Sequence, residues 1–355
     1  MTDVLHQAGA LAAERGVASI QIEPLGAGVG VMGELARVHL TYDTAQGVGD
    51  APTSVIVKSP SAFEANRAQG VGLGMYAAEI RFMNELDAVT LVRTPQVYLA
   101  DIVPGTAEFV VVMEDLGHLV MGDQVAGVSV EQARDAVLTM ADLHAGWWGR
   151  VQTPELDWLP SVVHARIEGF SQMWPALWAG FNATFQYALP DGGYEAGTLI
   201  STNFWAVMNH IARWPWTLIH QDYRVDNLFF DPNDAEQPVV VIDWQGIGRG
   251  PGIYDLCYFL GGSLTTEDRR ANEHELVAAY HGRLVERGVV DYAFDDLWHD
   301  YRFGHLTSCS TAVLVGATFD LGNERGKALV ETLARRHFQA VVDLGSTDLL
   351  DELSA

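Results

Sequence analysis

The sequence predicts an α+β protein of two parts, a small antiparallel β-sheet that carries one helix, followed by a larger, mainly helical region. Three observations support this prediction. Short β-branched runs separated by turn residues fill the first third of the chain. One segment among them, 75–86, has apolar residues at helical spacing. Beyond Gly117 the helical patterns become longer, and the first covers 129–149. We therefore divide the chain into domains 1–116 and 117–355.

The elements of the first part are expected in a simple order. Residues 1–16 read as an amphipathic helix, and a glycine-rich turn, "GAGVGVMG", occupies 26–33. The other predicted elements are strands at 20–25, 34–42 and 53–60, the helix at 75–86, and strands at 92–102 and 108–117.

In the second part, Ser129 is expected to cap the long helix over 129–149, with Glu131 and Gln132 in its first turn. The runs "NLFF" (227–230) and "VVVID" (239–243) flank a turn-rich segment and predict a hairpin. Helices follow from about residue 253, and 327–346 is the clearest.

Composition narrows the choice of partners. Asp and Glu number 46 against 21 Lys and Arg, so the formal net charge is −25. Such a field repels nucleic acid and anionic membranes, because phosphate binding requires clustered cations. It could favour a cationic substrate, although an acidic surface is the simpler explanation. No apolar run approaches the ~18 residues that span a bilayer, so we expect a cytoplasmic protein without nucleic-acid or membrane partners, of unknown oligomeric state.

The stretch "LIHQDYRVDNLFF" (218–230) concentrates polar side chains between apolar residues. Asp222 and Asn227 are placed on the loop that enters the hairpin, and Asp243 where its second strand ends. Their oxygens are therefore expected at one end of a short sheet. Hard oxygen ligands suit Mg²⁺, which usually takes one or two protein ligands and completes its shell with waters and substrate phosphates.

The first part offers matching groups. Gly28 and Gly30 lie in a turn whose backbone can approach phosphates closely. Lys58 on the third strand can reach those phosphates as a point charge, and Glu79 on the following helix can pair with it. A phosphate cradle, a positioned cation, a base and metal ligands are the parts that phosphoryl transfer requires.

The segment "HQDYRVDN", followed by "IDW" at 242–244, resembles the H-x-D-x-x-x-x-N … D-x-[FW] pattern of aminoglycoside/choline-kinase-like phosphotransferases. Its extension through "GIGRGPGIYDLCYFLGGSL" is similar to bacterial phosphotransferase-family proteins and the ecdysteroid-kinase-like branch. The resemblance spans roughly residues 20–345 and is dense only in 217–264. It implies a protein-kinase-like two-lobed fold, with a catalytic loop at 218–230 and a metal-binding segment at 239–245.

The resemblance also implies an ATP- and Mg²⁺-dependent O-phosphotransferase. Asp222 would be the catalytic base, Asn227 and Asp243 would hold Mg²⁺, and Lys58, braced by Glu79, would contact the ATP phosphates. The resemblance also implies a hinge at 113–117, in which the backbone of Glu114 and Leu116 would bind adenine. His220 and Asp255 would be scaffold residues that support the catalytic loop. Gln221 is a departure, since the family most often has glycine there.

Several alternatives stay open at this point. The acceptor could be a bulky, partly apolar alcohol, an aminoglycoside-like compound or a hydroxyacyl thioester, and a nucleotide-binding pseudokinase with a regulatory role is the rival class. The tryptophan-rich region 147–216 is more typical of a core than of a substrate pocket, and His144 of a core histidine. The turn "GVGVMG" also matches a dinucleotide-binding pattern, but "ARVHLTY" continues as a strand where that pattern requires a helix.

Overall fold

A computed structural model describes residues 1–25, 33–43, 51–318 and 324–354, which form two compact units. Unit 1 comprises Met1–Val120 with Val240–Gly246, and unit 2 comprises Met121–Val239 with Ile247–Ala355. Residues 240–246 thus pack in unit 1, whereas the sequence-based division placed 239–245 in the second domain.

Unit 1 is built on a five-stranded antiparallel sheet in the order β1-β2-β3-β5-β4. The strands are β1 (Val17–Leu25), β2 (Gly33–Tyr42), β3 (Ser54–Pro60), β4 (Val97–Ile102) and β5 (Phe109–Glu114). On the central strand β3, Lys58 lies opposite Leu35 of β2 and Val111 of β5. The sheet therefore holds Lys58 between two hydrogen-bonded neighbours.

Both faces of this sheet carry apolar clusters. Val38, Val55 and Val112 pack with Leu5 on one face, and Val111 packs with residues including Tyr76 on the other. Because successive strand residues point to opposite faces, the adjacent Val111 and Val112 serve different clusters.

The helices of unit 1 correct two expectations. The N-terminal helix, α1 (Thr2–Gln7), is shorter than the predicted 1–16, because Gly9 adopts a φ of 68° just after it, a left-handed conformation that ends helices. An additional helix, α2 (Glu64–Gly72), was not predicted, since its glycines disfavour helix formation.

The predicted helix at 75–86 is present in a modified form. It is α-helical over α3 (Met75–Arg81) and continues as a π-helical turn over Phe82–Leu86. Phe82 stacks on Trp244 with ring centroids 3.9 Å apart, beside Asp243 in the chain. A π-turn inside a helix is frequent near functional sites, and here it lies one turn after Glu79.

Unit 2 is mainly helical. The expected cap of its first helix is confirmed: the Ser129 hydroxyl accepts the Gln132 N–H at 3.1 Å, and the Gln132 side chain accepts the Ser129 N–H. The helices are α4 (Val130–Trp147), α5 (Ala165–Phe185), α6 (Gly193–Ile211), α7 (Ile253–Ser263), α8 (Thr266–Glu286), α9 (Phe294–Ser308), α10 (Ser310–Thr318) and α11 (Glu324–Asp343).

The tryptophan-rich region contributes mainly to the core of unit 2, as its pattern indicated. Trp174 and Trp178 on α5 pack with Phe204 of α6 and Phe338 of α11. Among the described residues, no helix is both long enough and apolar enough to cross a membrane.

The remaining strands are short. They are β6 (Val120–Met121), β7 (Trp216–Ile219), β8 (Leu228–Phe230), β9 (Val239–Val241) and β10 (Gly248–Pro251). Within unit 2, β7 pairs with β10, which places Gly248 opposite Ile219 at the entrance of the loop that carries Asp222. The Asp231 N–H donates to the Pro238 carbonyl at 2.8 Å and closes the turn between β8 and β9.

Candidate active site

In unit 1, the ammonium group of Lys58 joins two carboxylates. It donates to both oxygens of Glu79, at 2.7 and 2.8 Å, and to Oδ1 of Asp243 at 3.0 Å. Glu79 is on α3, and Asp243 follows β9 from a distant part of the chain. Since an ammonium has three N–H groups, Lys58 has no donor left over.

Burial and charge act on Lys58 in opposite directions. Only 8% of the residue is exposed, and burial alone would lower the pKa of its ammonium. The adjacent carboxylates of Asp243 and Glu79 outweigh that effect, so the pKa of Lys58 is raised. The lysine therefore stays a cation, while burial raises the pKa of its partner Glu79.

The backbone at Asp243 is unusual. Its φ is 64°, in the left-handed region that non-glycine residues seldom adopt. Its Oδ2 accepts from the Gln245 side chain at 3.2 Å, and a quarter of its side chain is exposed (26%). The bend thus turns the carboxylate towards Lys58 while leaving part of it accessible.

The expected hinge begins at the end of β5. The Glu114 N–H donates to the Gln96 carbonyl at 2.8 Å, and the Leu116 carbonyl accepts the Leu119 N–H at 2.9 Å. Within the described ranges, no hydrogen-bond acceptor is found for the N–H of Leu116. This N–H is thus not used in the backbone hydrogen bonds of the described residues.

Asp115, which lies between Glu114 and Leu116, fixes the expected hinge segment through its side chain. It accepts hydrogen bonds from Arg37 Nε at 2.7 Å, Ser54 Oγ at 2.6 Å and the Gly117 N–H at 3.0 Å. Burial would raise the pKa of Asp115, but these donors outweigh it and hold the pKa below its ordinary value. Sequence reasoning did not single out this residue, because its side-chain partners Arg37 and Ser54 lie far away in the chain.

In unit 2, Asp255 of α7 fixes the start of the loop that carries Asp222. Its fully buried carboxylate accepts the N–H of His220 at 2.7 Å and that of Gln221 at 2.9 Å. His144 lies beside it, 3.4 Å from Oδ2 of Asp255, and contacts the Tyr280 hydroxyl at 2.7 Å. His144 therefore belongs to the buried support of the loop, as expected of a core histidine.

Gln221 occupies a position that suits glycine. Its φ is 64°, a left-handed conformation that glycine adopts without strain, so glutamine at this position has a conformational cost. Its side chain packs over Gly248, where an added Cβ would lie 1.8 Å from Nε2 of Gln221. The bend at Gln221 sets the direction in which the chain reaches Asp222.

The Asp222 carboxylate is held by three donors. The Asn227 amide donates to Oδ2 at 2.9 Å, the Tyr258 hydroxyl donates to Oδ1 at 3.2 Å, and Arg224 Nε lies 3.3 Å from Oδ1. Arg224 also pairs with Asp226. Even so, 30% of the Asp222 side chain remains exposed, so the carboxylate can meet a substrate.

Asn227 is oriented by the same contacts. Its Nδ2 donates both to the backbone carbonyl and to the carboxylate of Asp222, each at 2.9 Å. With its nitrogen committed in this way, the amide presents its oxygen elsewhere, as a metal ligand would require.

No group of three or more His, Cys, Asp or Glu side chains suited to a metal ion exists among the described residues. The oxygens of Asp243 and Asn227 are of the hard type that Mg²⁺ prefers.

The structure thus brings the predicted residues together in two clusters. Lys58, Glu79 and Asp243 meet in unit 1, and Asp222 meets Asn227 in unit 2. Gly28 and Gly30 lie outside the described residues. Sequence reasoning missed Tyr258, although its place one turn after Tyr254, in the helix expected from about residue 253, was a usable signal.

Comparisons with known proteins identify the class. Residues 48–297 match the model of the phosphotransferase enzyme family (APH), so the chain belongs to that family. This confirms the resemblance found in the sequence. A comparison with curated protein sequences found no match.

Solved structures share the fold at low sequence identity. Choline kinase from Cryptosporidium parvum has a TM-score of 0.57 at 10% identity, covering 99% of this chain and 96% of its own. The GDP complex of aminoglycoside 2′-phosphotransferase-IIIa has a TM-score of 0.56 at 15% identity, covering 93% and 96%. A putative aminoglycoside phosphotransferase from Ralstonia eutropha has a TM-score of 0.54 at 12% identity, covering 97% and 98%. The kinase-like α+β fold is therefore confirmed.

Proposed function

We propose that this phosphotransferase is an ATP- and Mg²⁺-dependent small-molecule kinase that transfers the γ-phosphoryl group to an acceptor hydroxyl. One observation carries the proposal. In the loop that carries the family pattern, the Asp222 carboxylate is held by Asn227 and Tyr258 yet keeps an exposed share of 30%. A carboxylate that is both fixed and accessible is suited to act as a base towards a substrate.

The proposed reaction uses Asp222 as the group that orients and deprotonates the acceptor. The acceptor hydroxyl donates its proton to the Asp222 carboxylate as its oxygen bonds to the γ-phosphorus. The bond between that phosphorus and the β–γ bridging oxygen breaks, and ADP leaves with its electron pair. In such a transfer the protein contributes mainly position and charge stabilisation.

The Lys58 cluster is proposed to hold the nucleotide. Because all three N–H groups of Lys58 are engaged, a phosphate oxygen would replace one present acceptor, and Asp243 at 3.0 Å is the more distant. Glu79 would then keep Lys58 in place. The carboxylate of Asp243 and the amide oxygen of Asn227 would hold Mg²⁺, which supplies charge neutralisation on the phosphates.

The hinge is proposed to bind the base of the nucleotide. The N–H of Leu116 is a donor for a ring nitrogen of adenine, and the backbone of Glu114 would supply the companion contact. Gly28 and Gly30 remain candidates for phosphate contact on sequence grounds. One structural neighbour was solved with GDP, so GTP is included in the test below.

The acceptor is proposed to be an alcohol, either bulky and partly apolar or aminoglycoside-like. The neighbours named as choline kinase and aminoglycoside phosphotransferase support a small hydroxylated acceptor. We place the reaction in the cytoplasm, where ATP is available and the buried thiols of Cys257 and Cys309 stay reduced.

The test is nucleotide turnover across a panel of hydroxylated acceptors, with ATP or GTP and Mg²⁺, for the wild type and Asp222→Asn in parallel. ADP release that an acceptor stimulates only in the wild type would support the proposal and define the acceptor class. Equal stimulated turnover in Asp222→Asn would exclude Asp222 as the base.

A further inference from the structure

The three donors that hold the Asp222 carboxylate come from different places. Asn227 and Arg224 belong to the same loop as Asp222, so they move with it. Tyr258 belongs to α7, and its hydroxyl donates to Oδ1 of Asp222 at 3.2 Å. Tyr258 thus holds this carboxylate from outside the loop.

Tyr258 is itself fixed from several sides. Only 4% of the residue is exposed, and its ring stacks on that of His337 of α11, with centroids 5.4 Å apart and planes within 5° of parallel. Helices α7 and α11 therefore determine where this hydroxyl lies.

His337, on which the Tyr258 ring stacks, adds no charge to the site. Burial, with a smaller contribution from Arg336 and Arg269, lowers the pKa of His337 to about 3, so its ring is neutral at physiological pH. Burial and the nearby Asp222 carboxylate also raise the pKa of Tyr258, which keeps its hydroxyl protonated and able to donate.

We propose that Tyr258 is a positioning residue for the base of the transfer reaction. Its hydroxyl fixes the plane of the Asp222 carboxylate relative to the helical unit, so that the carboxylate meets the acceptor hydroxyl in one orientation. The inference rests on the proposed function. Its physical reason is that transfer depends steeply on geometry, and a displacement of about 1 Å can reduce a rate by about 10²-fold.

Tyr258→Phe removes the hydroxyl and leaves the ring stacked on His337. Tyr254→Phe is the matched control, because Tyr254 is a tyrosine one turn earlier on the same helix, α7. The probe is Mg·ATP with water as the phosphoryl acceptor, measured as ADP release by the full chain, so that the alcohol need not be known. Melting temperatures show that each variant is folded.

For Tyr258→Phe we expect kcat to fall about tenfold, equivalent to about 1.4 kcal/mol, with KM for ATP unchanged. Tyr254→Phe should keep the wild-type kcat. A wild-type kcat in Tyr258→Phe, equal losses in both variants, or a rise in KM alone would overturn the inference. A crystal structure of Tyr258→Phe gives a second readout, in which a rotated Asp222 carboxylate is expected and an unmoved one would contradict us.

Failure of the inference is distinguishable from failure of the proposed function. If neither water nor any acceptor of the panel gives the wild type more ADP release than Asp222→Asn, the proposed function fails and this inference fails with it. If the wild type turns over, Asp222→Asn does not, and Tyr258→Phe matches the wild type, only the role of Tyr258 is excluded.

Discussion

Lys58 in unit 1 and Asp222 in unit 2 are both held by neighbouring polar side chains, but they differ in how exposed they are. The Lys58 ammonium is enclosed by Glu79 and Asp243, and each of its three N–H groups is used. The Asp222 carboxylate accepts from its neighbours and still exposes 30% of its side chain. The Lys58 ammonium must therefore exchange a partner to bind a ligand, whereas part of the Asp222 side chain is already accessible.

The two clusters share one feature of the backbone. Gln221, which precedes Asp222, and Asp243, which contacts Lys58, both have a φ of 64°. A non-glycine residue in the left-handed region costs of order 1–3 kcal/mol and persists where its surroundings enforce it. The two clusters therefore differ in how accessible the charged group is to a ligand. They are alike in that each is held by a backbone residue in the left-handed region.

The largest expected effect comes from removing the enclosed cation. Lys58→Met leaves Glu79, which is only 2% exposed, without its cation. Breaking a buried pair in this way costs about 3–5 kcal/mol, so the free energy of unfolding in urea should fall by that amount and Mg·ATP binding should disappear. Arg81→Met is the matched control, because Arg81 pairs with Glu85 at the surface, where a pair contributes about 0–1 kcal/mol.

The double variant Lys58→Met/Glu79→Met separates stability from function. Replacing a whole buried pair with apolar side chains is often neutral or stabilising, so much of the lost stability should return while nucleotide binding, measured by calorimetry, stays absent. Recovery of wild-type Mg·ATP affinity in the double variant would exclude Lys58 as a phosphate ligand.

A smaller effect is expected at Asp115. Its carboxylate has hydrogen-bond donors around it, as that of Asp222 has, and it is enclosed by its partners, as Lys58 is. Asp115→Asn should lower the free energy of unfolding at pH 7 by about 1.5–3 kcal/mol, the contribution of a hydrogen bond to a charged group. The folded pKa of Asp115 lies below its ordinary value. Its contribution is therefore fully present above the unfolded pKa of about 3.9 and is lost as the pH falls through the folded pKa.

Urea unfolding from pH 7 to pH 3 measures this effect. The difference between wild type and Asp115→Asn should be constant down to about pH 5 and should then narrow. Asp101→Asn serves as a control, because Asp101 is exposed on β4 and its carboxylate accepts the adjacent Ile102 N–H. A gap that widens on acidification would contradict the assigned direction of the pKa.

The smallest effect is expected at Gln221. Gln221→Gly relieves the left-handed strain but loses the contact with Gly248, so its stability should stay within about 1 kcal/mol of the wild type. Gln221→Val places a β-branched residue at a φ of 64° and should be clearly less stable. Equal urea midpoints for glutamine and valine at this position would show that the bend is not enforced by the fold.

Local patterns were enough to predict the framework. The Ser129 cap, the strand that carries Lys58 and the helix that carries Glu79 follow from residue types a few positions apart. The clustering of Asp222 and Asn227 could be expected for the same reason, since both lie on one short loop. The sequence also led to the family, because the loop pattern is dense and specific.

Long-range contacts could not be predicted in this way. Asp243 contacts Lys58 across 185 residues, and Tyr258 reaches Asp222 from a helix that begins 31 positions later (253 − 222). Periodicity reports which face of an element is buried and gives no information on its partner. The short helix α1 has a different cause, because Gly9 ends it early, whereas α2 forms despite its glycines, so its surroundings override the local propensity.

The central claim is that the Lys58 cluster holds the nucleotide and Asp222 performs the transfer. It is tested most directly by measuring Mg·ATP binding by calorimetry and acceptor-stimulated ADP release for Asp222→Asn and Asp243→Ala side by side. We expect Asp222→Asn to bind Mg·ATP as the wild type does and to lose turnover by about 10²–10⁴-fold, the contribution of a positioned base. Asp243→Ala should lose Mg²⁺-dependent binding. Loss of binding in Asp222→Asn, or wild-type binding in Asp243→Ala, would contradict this division of roles.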